Sequence, residues 1–417
     1  MYFVKHKLLT YLFFITFLYA INAQETINTM FYNLLEYPDA PPTNRSEILK
    51  VILDDYKPDL FMVCELKSEE GANSILNTSL KTTDNRYLKA NFVSNQSNIQ
   101  TDLQQLVFYN SKKLVLESQD LINTGIRDIN HYLFKLNTNT AASNPIYLDV
   151  FVAHLKSSQG QDNEQKRLDM VLDFTSTLAT IPSDHFVILA GDFNLYTAQE
   201  DAYQELLDPT NAIVLKDPID RPGGWHLNSS FQDIHTQSTR KSNVDFDGFG
   251  AGGDLDDRFD FILISENLEN SNILKYVPNT YKAYGNNGTC YNKSINDPTC
   301  NGAEYNSSIR DALYTMSDHL PVVLQLETNQ ALSIDENNLT EKYIQFTYGN
   351  LISDKITLTV NSSVFRCKVV LYNSMGQKIK TAILNNTTQI INTTHLSSGI
   401  YYLKLQDTSS PLKFIKL

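Results

Sequence analysis

The sequence predicts an α/β sandwich of two packed sheets with outer helices, followed by a small all-β sandwich module. Three observations support this fold class. Apolar runs rich in β-branched residues alternate with a few helical patterns up to residue 327. Acidic, amide and imidazole residues lie at the ends of several of these runs. Beyond residue 340 the pattern changes to short alternating strands separated by turns.

Seven apolar runs of the central region are predicted strands, and two segments are predicted helices. Residues 44–56 place apolar side chains at helical spacing and end before Pro58, and residues 165–178 repeat that spacing. The predicted strands cover residues 26–35, 59–64, 106–109, 147–153, 186–190, 259–264 and 322–326.

The first 23 residues are predicted to be a secretory signal peptide that does not belong to the fold. Lys5 and Lys7 precede an apolar stretch at 8–19, and Ala-Ile-Asn-Ala at 20–23 offers a cleavage site. An uncleaved membrane anchor is the weaker alternative, because the apolar stretch is short for a membrane span.

The net charge of −13 is unevenly distributed. The predicted signal peptide has two Lys and no acid, and residues 341–417 have nine Lys/Arg and three Asp/Glu. That leaves 23 basic and 44 acidic residues, a net charge of −21, in residues 24–340. Such a charge argues against tight non-specific binding of nucleic acid. It does not exclude catalysis on a phosphodiester, because a bound cation inverts the local charge.

The four cysteines do not have the spacing of a zinc site. Cys290 and Cys300 lie in a polar, Asn-rich segment, where they form either a local disulfide or two unpaired thiols. Cys64 lies inside an apolar run and is predicted to be a small core residue. Cys367 lies in a predicted C-terminal strand.

Two short acidic motifs give the strongest chemical indication. Gly-Asp-Phe-Asn lies at 191–194 and Ser-Asp-His-Leu-Pro at 317–321, each beside an apolar run. Glu65, Asp260 and His154 also lie within or directly after predicted strands. A single Asp after a strand is more often a turn residue, so the indication comes from the co-occurrence of these groups. Carboxylate oxygens suit Mg²⁺, and a metal beside a phosphate activates water.

Six stretches together resemble the endonuclease/exonuclease/phosphatase superfamily, which has the deoxyribonuclease I-like fold. The resemblance covers residues 26–326 and implies a four-layer α/β sandwich whose two sheets are mostly antiparallel. The stretches are Phe-Tyr-Asn at 31–33, Lys-Pro-Asp-Leu-Phe-Met-Val-Cys-Glu at 57–65, Val-Ala-His-Leu-Lys-Ser at 152–157, Gly-Asp-Phe-Asn at 191–194, Arg-Phe-Asp-Phe-Ile-Leu at 258–263 and Ser-Asp-His-Leu-Pro at 317–321.

The resemblance implies a metal end of the site, holding Mg²⁺ or Mn²⁺. Asn33 and Glu65 lie there, with Glu65 as a direct ligand and Asp318 as a further metal-site carboxylate. Asp192 either orients the attacking water or binds metal. Cys64 stands where the family usually has Gln, which implies a changed environment for the neighbouring Glu but not a loss of activity.

The resemblance also implies the groups that act on the phosphate. His154 hydrogen-bonds the scissile phosphate or acts as general acid, and Asn194 holds a phosphate oxygen. His319 is the general base or a phosphate ligand. Asp260 pairs with His319, fixes its tautomer and raises its basicity.

The segment 245–257 is acidic and rich in Gly. It has two interpretations: a structural Ca²⁺ loop, or a flexible acidic loop beside the active site. Calcium binds many oxygen ligands, although the spacing here is not that of an EF-hand.

Residues 328–340 are predicted to be a linker, and residues 341–417 a separate all-β module. Its predicted strands cover 356–360, 367–371, 382–384 and 400–405. The module resembles the sorting domain of type IX secretion substrates, through the stretches at 371–378, 396–404 and 413–417. That resemblance implies contact with the type IX machinery and a location outside, or on the surface of, a Gram-negative bacterium. A carbohydrate-binding or adhesive module is the alternative.

The sequence therefore predicts an exported, metal-dependent phosphodiesterase with a catalytic domain at 24–327. An endonuclease acting on extracellular DNA or RNA, held weakly, is the first hypothesis. A sphingomyelinase-like phospholipase or a phosphatase on the same fold is the second. A binding or adhesion protein with a decayed site is the third. The chain is expected to be a monomer without stable membrane insertion.

Overall fold

The computed structural model describes residues 25–80, 86–332, 343–405 and 411–417. The predicted signal peptide and residues 333–340 of the predicted linker lie outside these ranges. Within them, no helix has the length and apolarity that a membrane span requires.

Two sheets form the central region. Its described strands are β1 (Glu25–Tyr37), β2 (Leu60–Leu66), β3 (Tyr87–Lys89), β4 (Gln104–Asn110), β5 (Leu114–Ile122), β6 (Ile129–Leu136), β7 (Tyr147–His154), β8 (Phe186–Asp192), β9 (Leu215–Lys216), β10 (Asp260–Ser265), β11 (Leu274–Tyr276), β12 (Lys282–Ala283) and β13 (Val322–Thr328). Sheet 1 has the order β11-β13-β1-β2-β4-β3, with β12 also pairing with β13. Sheet 2 has the order β5-β6-β7-β8-β10-β9.

Each of these sheets contains a single parallel pair in the described residues, β1 with β2 and β7 with β8. The remaining described pairs of both sheets are antiparallel. The predicted fold class, with two mostly antiparallel sheets, is therefore confirmed.

The helices lie outside the two sheets. They are α1 (Arg45–Tyr56), α2 (Glu69–Ser74) continued by a π-helical turn (Ile75–Leu80), α3 (Gln161–Leu178), α4 (Asp201–Leu206), α5 (Asn267–Asn270) and α6 (Ser307–Met316), with short 3₁₀ turns at Ser229–Phe231, Val244–Phe246 and Ser362–Val364. Leu49 and Ile52 of α1 join the core cluster of sheet 1, while Met170 and Phe174 of α3 pack on the outer face of sheet 2.

Strand β7 shows why the central strands are apolar throughout. Val150 and Val152 point into the core shared by the two sheets, whereas Phe151 and Ala153 point toward α3. A strand buried on both faces has no polar alternation. Continuous apolar runs of this kind predicted these strands from the sequence.

Several predicted boundaries differ from the observed ones. Strand β8 continues to Asp192 and β2 to Leu66, so Asp192 and Glu65 lie inside the ladders and not after them. Helix α3 begins at Gln161, four residues earlier than predicted. The polar residues that extend these strands are buried at the site described below. Because they are polar, the pattern of apolar residues does not reveal that the strands continue through them.

The C-terminal region forms two further sheets, as predicted. Its described strands are β14 (Ile344–Phe346), β15 (Leu351–Ile352), β16 (Lys355–Val360), β17 (Lys368–Asn373), β18 (Lys378–Ile383), β19 (Thr388–Asn392), β20 (Gly399–Leu405) and β21 (Leu412–Lys416). One sheet has the order β14-β16-β19 and the other β15-β21-β20-β17-β18.

Three of the four cysteines lie where the sequence predicted, whereas Cys367 directly precedes β17 and does not belong to the strand. Cys290 and Cys300 form a disulfide within the Asn-rich segment. Cys64 is fully buried in β2, and burial raises the pKa of its thiol well above the usual value. A buried, protonated thiol is a small core residue and not a nucleophile.

A buried ion pair ties the segment just before β10 to the residue that follows β9. Arg258 donates two hydrogen bonds to Asp217, at 2.8 and 2.9 Å, and both side chains are almost fully buried. Burial alone would raise the pKa of Asp217, but Arg258 and Tyr203 hold it below its usual value.

Asp217→Asn should destabilise the fold by about 3–5 kcal/mol, because it leaves the Arg258 charge buried without its partner. A carboxyl whose pKa is depressed by folding stabilises above its unfolded pKa, and this stabilisation is lost as the pH falls through the folded pKa. The difference in unfolding free energy from wild type should therefore shrink below about pH 4. Urea unfolding at pH 7 and pH 3 measures it.

The matched control is Asp54→Asn, which removes an exposed helical ion pair with Lys50. Its cost should be about 0.5 kcal/mol or less. Equal destabilisation by the two substitutions would contradict a special role for the buried pair.

Candidate functional site

The register of the two sheets brings the predicted site residues to one edge. Asn33 of β1 pairs with Cys64 of β2, next to Glu65. In sheet 2, Asp192 pairs with both His154 and Asp260. Because β1–β2 and β7–β8 are parallel pairs, their carboxyl ends meet at the same edge. The polar groups at the strand ends therefore converge.

Asn33 joins the two sheets at the centre of the site. Its Nδ2 donates to Glu65 Oε1 and to Asp192 Oδ2, each at 3.0 Å, and lies 3.4 Å from His319 Nε2. Its own Oδ1 accepts from the Leu35 amide at 3.0 Å. The buried side-chain amide of Asn33 thus bridges two carboxylates that belong to different sheets.

A β-bulge orients Glu65 toward this centre. The register of β2 shifts between Val63 and Leu66, and Glu65 has a φ of +56°. A bulge turns a side chain that would otherwise follow the strand alternation. The Glu36 amide donates to Glu65 Oε2 at 3.0 Å and fixes the second oxygen.

His154 lies beside both carboxylates and is fully buried. Its Nε2 is 3.5 Å from Asp192 Oδ2 and 3.9 Å from Glu65 Oε1. Burial, and then the nearby Arg127 charge, lower the pKa of His154 well below the usual value. A neutral imidazole therefore faces the two carboxylates.

His319 forms a dyad with Asp260. The Nδ1–H of His319 donates to Asp260 Oδ2 at 2.8 Å, and its Nε2 lies 3.8 Å from Asp192 Oδ2. Burial opposes protonation, but the carboxylates of Asp260 and Asp192 raise the pKa of His319 well above the usual value. The Asp260 contact fixes the tautomer, as expected for a base or phosphate ligand.

Asp318 lies next to this group but has different contacts. Its Oδ2 accepts from the Ala251 amide at 2.7 Å and from Gln237 Nε2 at 3.2 Å. A Cβ on Gly250 would lie 3.0 Å from the Asp318 carboxyl carbon. The Gly residue therefore permits the segment 245–257 to approach Asp318 closely.

The acids of that segment have separate partners. Asp254 Oδ1 accepts from Ser294 Oγ at 3.1 Å, and Asp257 Oδ1 lies 2.7 Å from His226 Nδ1. A metal site needs several carboxylates turned toward one point, and the described part of this segment has no such group. A structural Ca²⁺ stays a prediction.

The site concentrates buried carboxylates. Burial raises the pKa of Asp192 to about 7, with further contributions from Asp260 and Glu65, while His319 opposes the shift. Burial also raises the pKa of Glu65. The ligand atoms of Glu65, His154 and Asp192 all lie within 4.8 Å of one another. Those of Asp192, Asp260 and His319 form a second group of the same size. Asp192 belongs to both groups, and Asp318 belongs to neither.

These residues fit a divalent cation. A cation beside Asp192 would relieve the unfavourable burial of several carboxylates. Asp260 Oδ1 and Asp318 Oδ1 are buried without a hydrogen-bond partner among the described residues, so two more oxygens are free. An oxygen-rich donor set favours a hard cation such as Mg²⁺.

The sequence reasoning did not identify three neighbours of the site. Gln237 Nε2 lies 2.7 Å from His319 Nε2. Arg127 donates to Leu155 O at 2.8 Å, which places its guanidinium beside His154. Lys156 also contributes to the lowered pKa of His154. Lys156 lies in the stretch 152–157, just after the predicted strand 147–153 and His154, and could have been proposed. Gln237 and Arg127 lie in polar segments without a pattern.

Several solved structures are similar to the greater part of the chain. They include the human Nocturnin catalytic domain with bound sulfate anion (15% identity, TM-score 0.46, covering 72% of this chain and 94% of that chain). Another is TDP2 of D. rerio complexed with single strand DNA product (13%, TM-score 0.47, 73% and 99%). A third is an endonuclease/exonuclease/phosphatase family protein of Bacteroides thetaiotaomicron (13%, TM-score 0.45, 73% and 98%). The comparison with curated proteins gives no match.

The C-terminal module matches a known family. Residues 347–416 match the model described as the secretion system C-terminal sorting domain. This confirms the sorting-domain resemblance, and the match lies inside the predicted module 341–417. The protein is therefore exported to the cell surface or beyond it.

Gly250→Ala should destabilise the protein more than Gly248→Ala. Both glycines have left-handed backbone, with φ values of +79° and +82°, so each substitution has a similar backbone cost. Only the Cβ at position 250 would press on Asp318 and Leu35, whereas nothing lies within 4 Å at position 248. The additional loss of unfolding free energy should be about 1–3 kcal/mol, measured by urea unfolding. Equal losses would show that the segment does not pack tightly on Asp318.

Proposed function

We propose that the chain is an exported, metal-dependent phosphodiesterase, and that its substrate is nucleic acid cleaved at internal positions. The observation that carries the proposal is the convergence of two carboxylates, two imidazoles and an amide at one sheet edge. Phosphodiester hydrolysis needs charge neutralisation, an oriented water and a stabilised leaving oxygen. This edge holds groups for each requirement.

Glu65 and Asp192 would hold the metal, with Asp318 as the predicted further carboxylate. A bound divalent cation supplies charge neutralisation at the phosphate and lowers the pKa of water. The raised pKa values of Asp192 and Glu65 support this assignment, since clustered buried acids are typical of cation sites. Asn33 keeps the two acids in place through its bonds to both.

The imidazoles would act on the phosphate and the attacking water. His319, oriented by Asp260, presents Nε2 toward Asp192. Its raised pKa favours the protonated imidazole, which would donate to a phosphate oxygen, and as a general base toward a water at Asp192 it would first have to lose that proton. The lowered pKa of His154 favours a neutral hydrogen bond to a phosphate oxygen over a general-acid role. Asn194 Nδ2 donates to Asp192 Oδ1 at 2.8 Å and to Leu155 O at 3.5 Å, and it would exchange the longer of these two bonds for one to a phosphate oxygen.

A local positive charge supports an anionic substrate. Arg127 and Lys156 lie beside His154 on the β6–β7 side of the site, within a region whose net charge is −21. A backbone with several phosphates gains from both cations, whereas a zwitterionic lipid head carries one phosphate. We also propose the predicted division of the chain: signal peptide 1–23, catalytic domain 24–327, linker 328–340 and sorting domain 341–417.

His319→Ala should abolish nicking of supercoiled plasmid by the exported protein. Loss of a general base or phosphate ligand lowers the rate by about 10²–10⁴-fold. His185→Ala is the matched control, because His185 also pairs with a buried acid (Nδ1 to Asp149 Oδ2, 2.7 Å) but at the opposite end of the strands. Full nicking activity in His319→Ala would contradict the role proposed for His319, whereas the absence of phosphoester hydrolysis by wild type would favour a binding or adhesion protein.

Chelation should also abolish nicking, and added Mg²⁺ or Mn²⁺ should restore it. The reason is that the acidic edge repels a phosphodiester unless a cation is bound. Initial nicking rates with EDTA, and then with each metal in excess, measure this dependence. Unchanged activity after exhaustive chelation would contradict metal dependence. Intact plasmid together with hydrolysis of sphingomyelin or a phosphate monoester would move the substrate to the second hypothesis.

A further inference from the structure

The two flanks of the site differ in charge and chemistry. Arg127 and Lys156 lie on the β6–β7 flank, next to His154. On the β10 flank, Tyr196 and His226 are half-buried aromatic residues, and Asp257 lies beside them. The phosphates of a substrate are attracted to the first flank and repelled by the second. The second flank therefore suits an uncharged part of the substrate.

His226 is held as a hydrogen-bonding group at this flank. Its Nδ1 lies 2.7 Å from Asp257 Oδ1, and 34% of its side chain is exposed. The bond to Asp257 fixes the ring and leaves Nε2 for another partner. The Asp257 backbone pairs with Gln237, whose side chain lies 2.7 Å from His319 Nε2. His226 is thus connected to His319 through two residues, Asp257 and Gln237.

Tyr196 is positioned by contacts on several sides. It lies two residues after Asn194, and its amide donates to Glu200 Oε1 at 2.8 Å. Its ring contacts the ring of His226 edge-on at 5.3 Å and that of Phe259 at 4.9 Å. The buried Arg167 lies 5.8 Å from the ring centre. Burial, Asp257 and Asp192 raise the pKa of Tyr196 to about 12, so the hydroxyl keeps its proton.

We infer that Tyr196 and His226 form a subsite for the nucleobase of a nucleotide next to the scissile phosphate. This inference rests on the proposed function. A base presents an aromatic ring and a polar edge, which match an immobilised aromatic pair carrying a hydroxyl donor and a ring nitrogen. The Asp257 carboxylate excludes a second phosphate from the same position. The bound nucleic acid consequently has its charged backbone toward Arg127 and a base toward His226.

The test compares three substrates in wild type and two variants. Thymidylyl-thymidine and its two analogues, each with one base replaced by hydrogen, are hydrolysed by wild type, His226→Ala and Tyr196→Phe. On the intact dinucleotide, KM should rise roughly tenfold in His226→Ala and less in Tyr196→Phe, with kcat changed much less than KM. On one of the two analogues the difference between wild type and variant should largely disappear, because the contacted base is absent.

Several outcomes would overturn the inference. One is an equal effect of the variants on the intact dinucleotide and on both analogues, which would indicate a structural or chemical role. Another is no effect on any substrate. His185→Ala is the matched control, because it removes a carboxylate-bound imidazole far from the site. It should keep the wild-type ratios of KM between the intact dinucleotide and its analogues.

A binding measurement separates this inference from the proposed function. Titration of thymidine monophosphate into the metal-loaded protein should give saturable binding that weakens roughly tenfold in His226→Ala. If wild type hydrolyses no nucleic acid, the proposed function fails. The subsite is then judged by this titration alone, and equal binding by wild type and variant overturns it.

Discussion

The burial of several carboxylates at one sheet edge is the constraint on which the rest of the site depends. Asp192 lies between the acids of Glu65 and Asp260 and is almost fully buried. An isolated buried carboxylate is strongly unfavourable, so such groups need a proton, a counter-charge or a metal. The amide of Asn33 and the imidazole of His319 supply part of the compensation. The raised pKa of Asp192 indicates that this compensation is incomplete.

The register of strand pairing places these carboxylates close together. Among the described strands, sheet 1 and sheet 2 each have one parallel pair, at the centre, so two strand ends per sheet reach the same edge. Packing the sheets face to face then brings Asn33 of one within hydrogen-bond distance of Asp192 of the other. The stability of both sheets comes from apolar side chains elsewhere along the same strands. The large apolar core thus offsets the free-energy cost of the strained acidic edge, as is usual for functional sites.

The sequence was sufficient to predict where the candidate site residues lie relative to the strands. Asp192, His154 and Asp260 follow or extend apolar runs, and the runs themselves predict strands, so their placement required only the sheet order. Asp318 and His319 precede β13 in the same way. These positions are local properties of the chain, and hydrophobic patterning reports them directly.

Features that depend on distant contacts could not be predicted. The bulge at Glu65 has no signature in the apolar pattern, and the hairpin β5–β6 at the edge of sheet 2 is too polar in sequence to stand out. Gln237 and His226 gain their importance only from neighbours that lie 82 and 31 residues away. The sequence also contains no signal that Gly250 permits close contact between the Gly-rich acidic segment and Asp318, and the structural Ca²⁺ suggested for this segment stays a prediction.

The most direct test of the central claim is calorimetric titration of Mn²⁺ into the exported protein and into Asp192→Asn. Asp192 belongs to both groups of ligand atoms, so the account predicts saturable binding in wild type and its loss, or a weakening of at least about tenfold, in the variant. The variant should remain folded, because an amide relieves the burial of one charge. Equal binding by the two proteins would contradict a metal site at this edge, and so would the absence of binding to wild type.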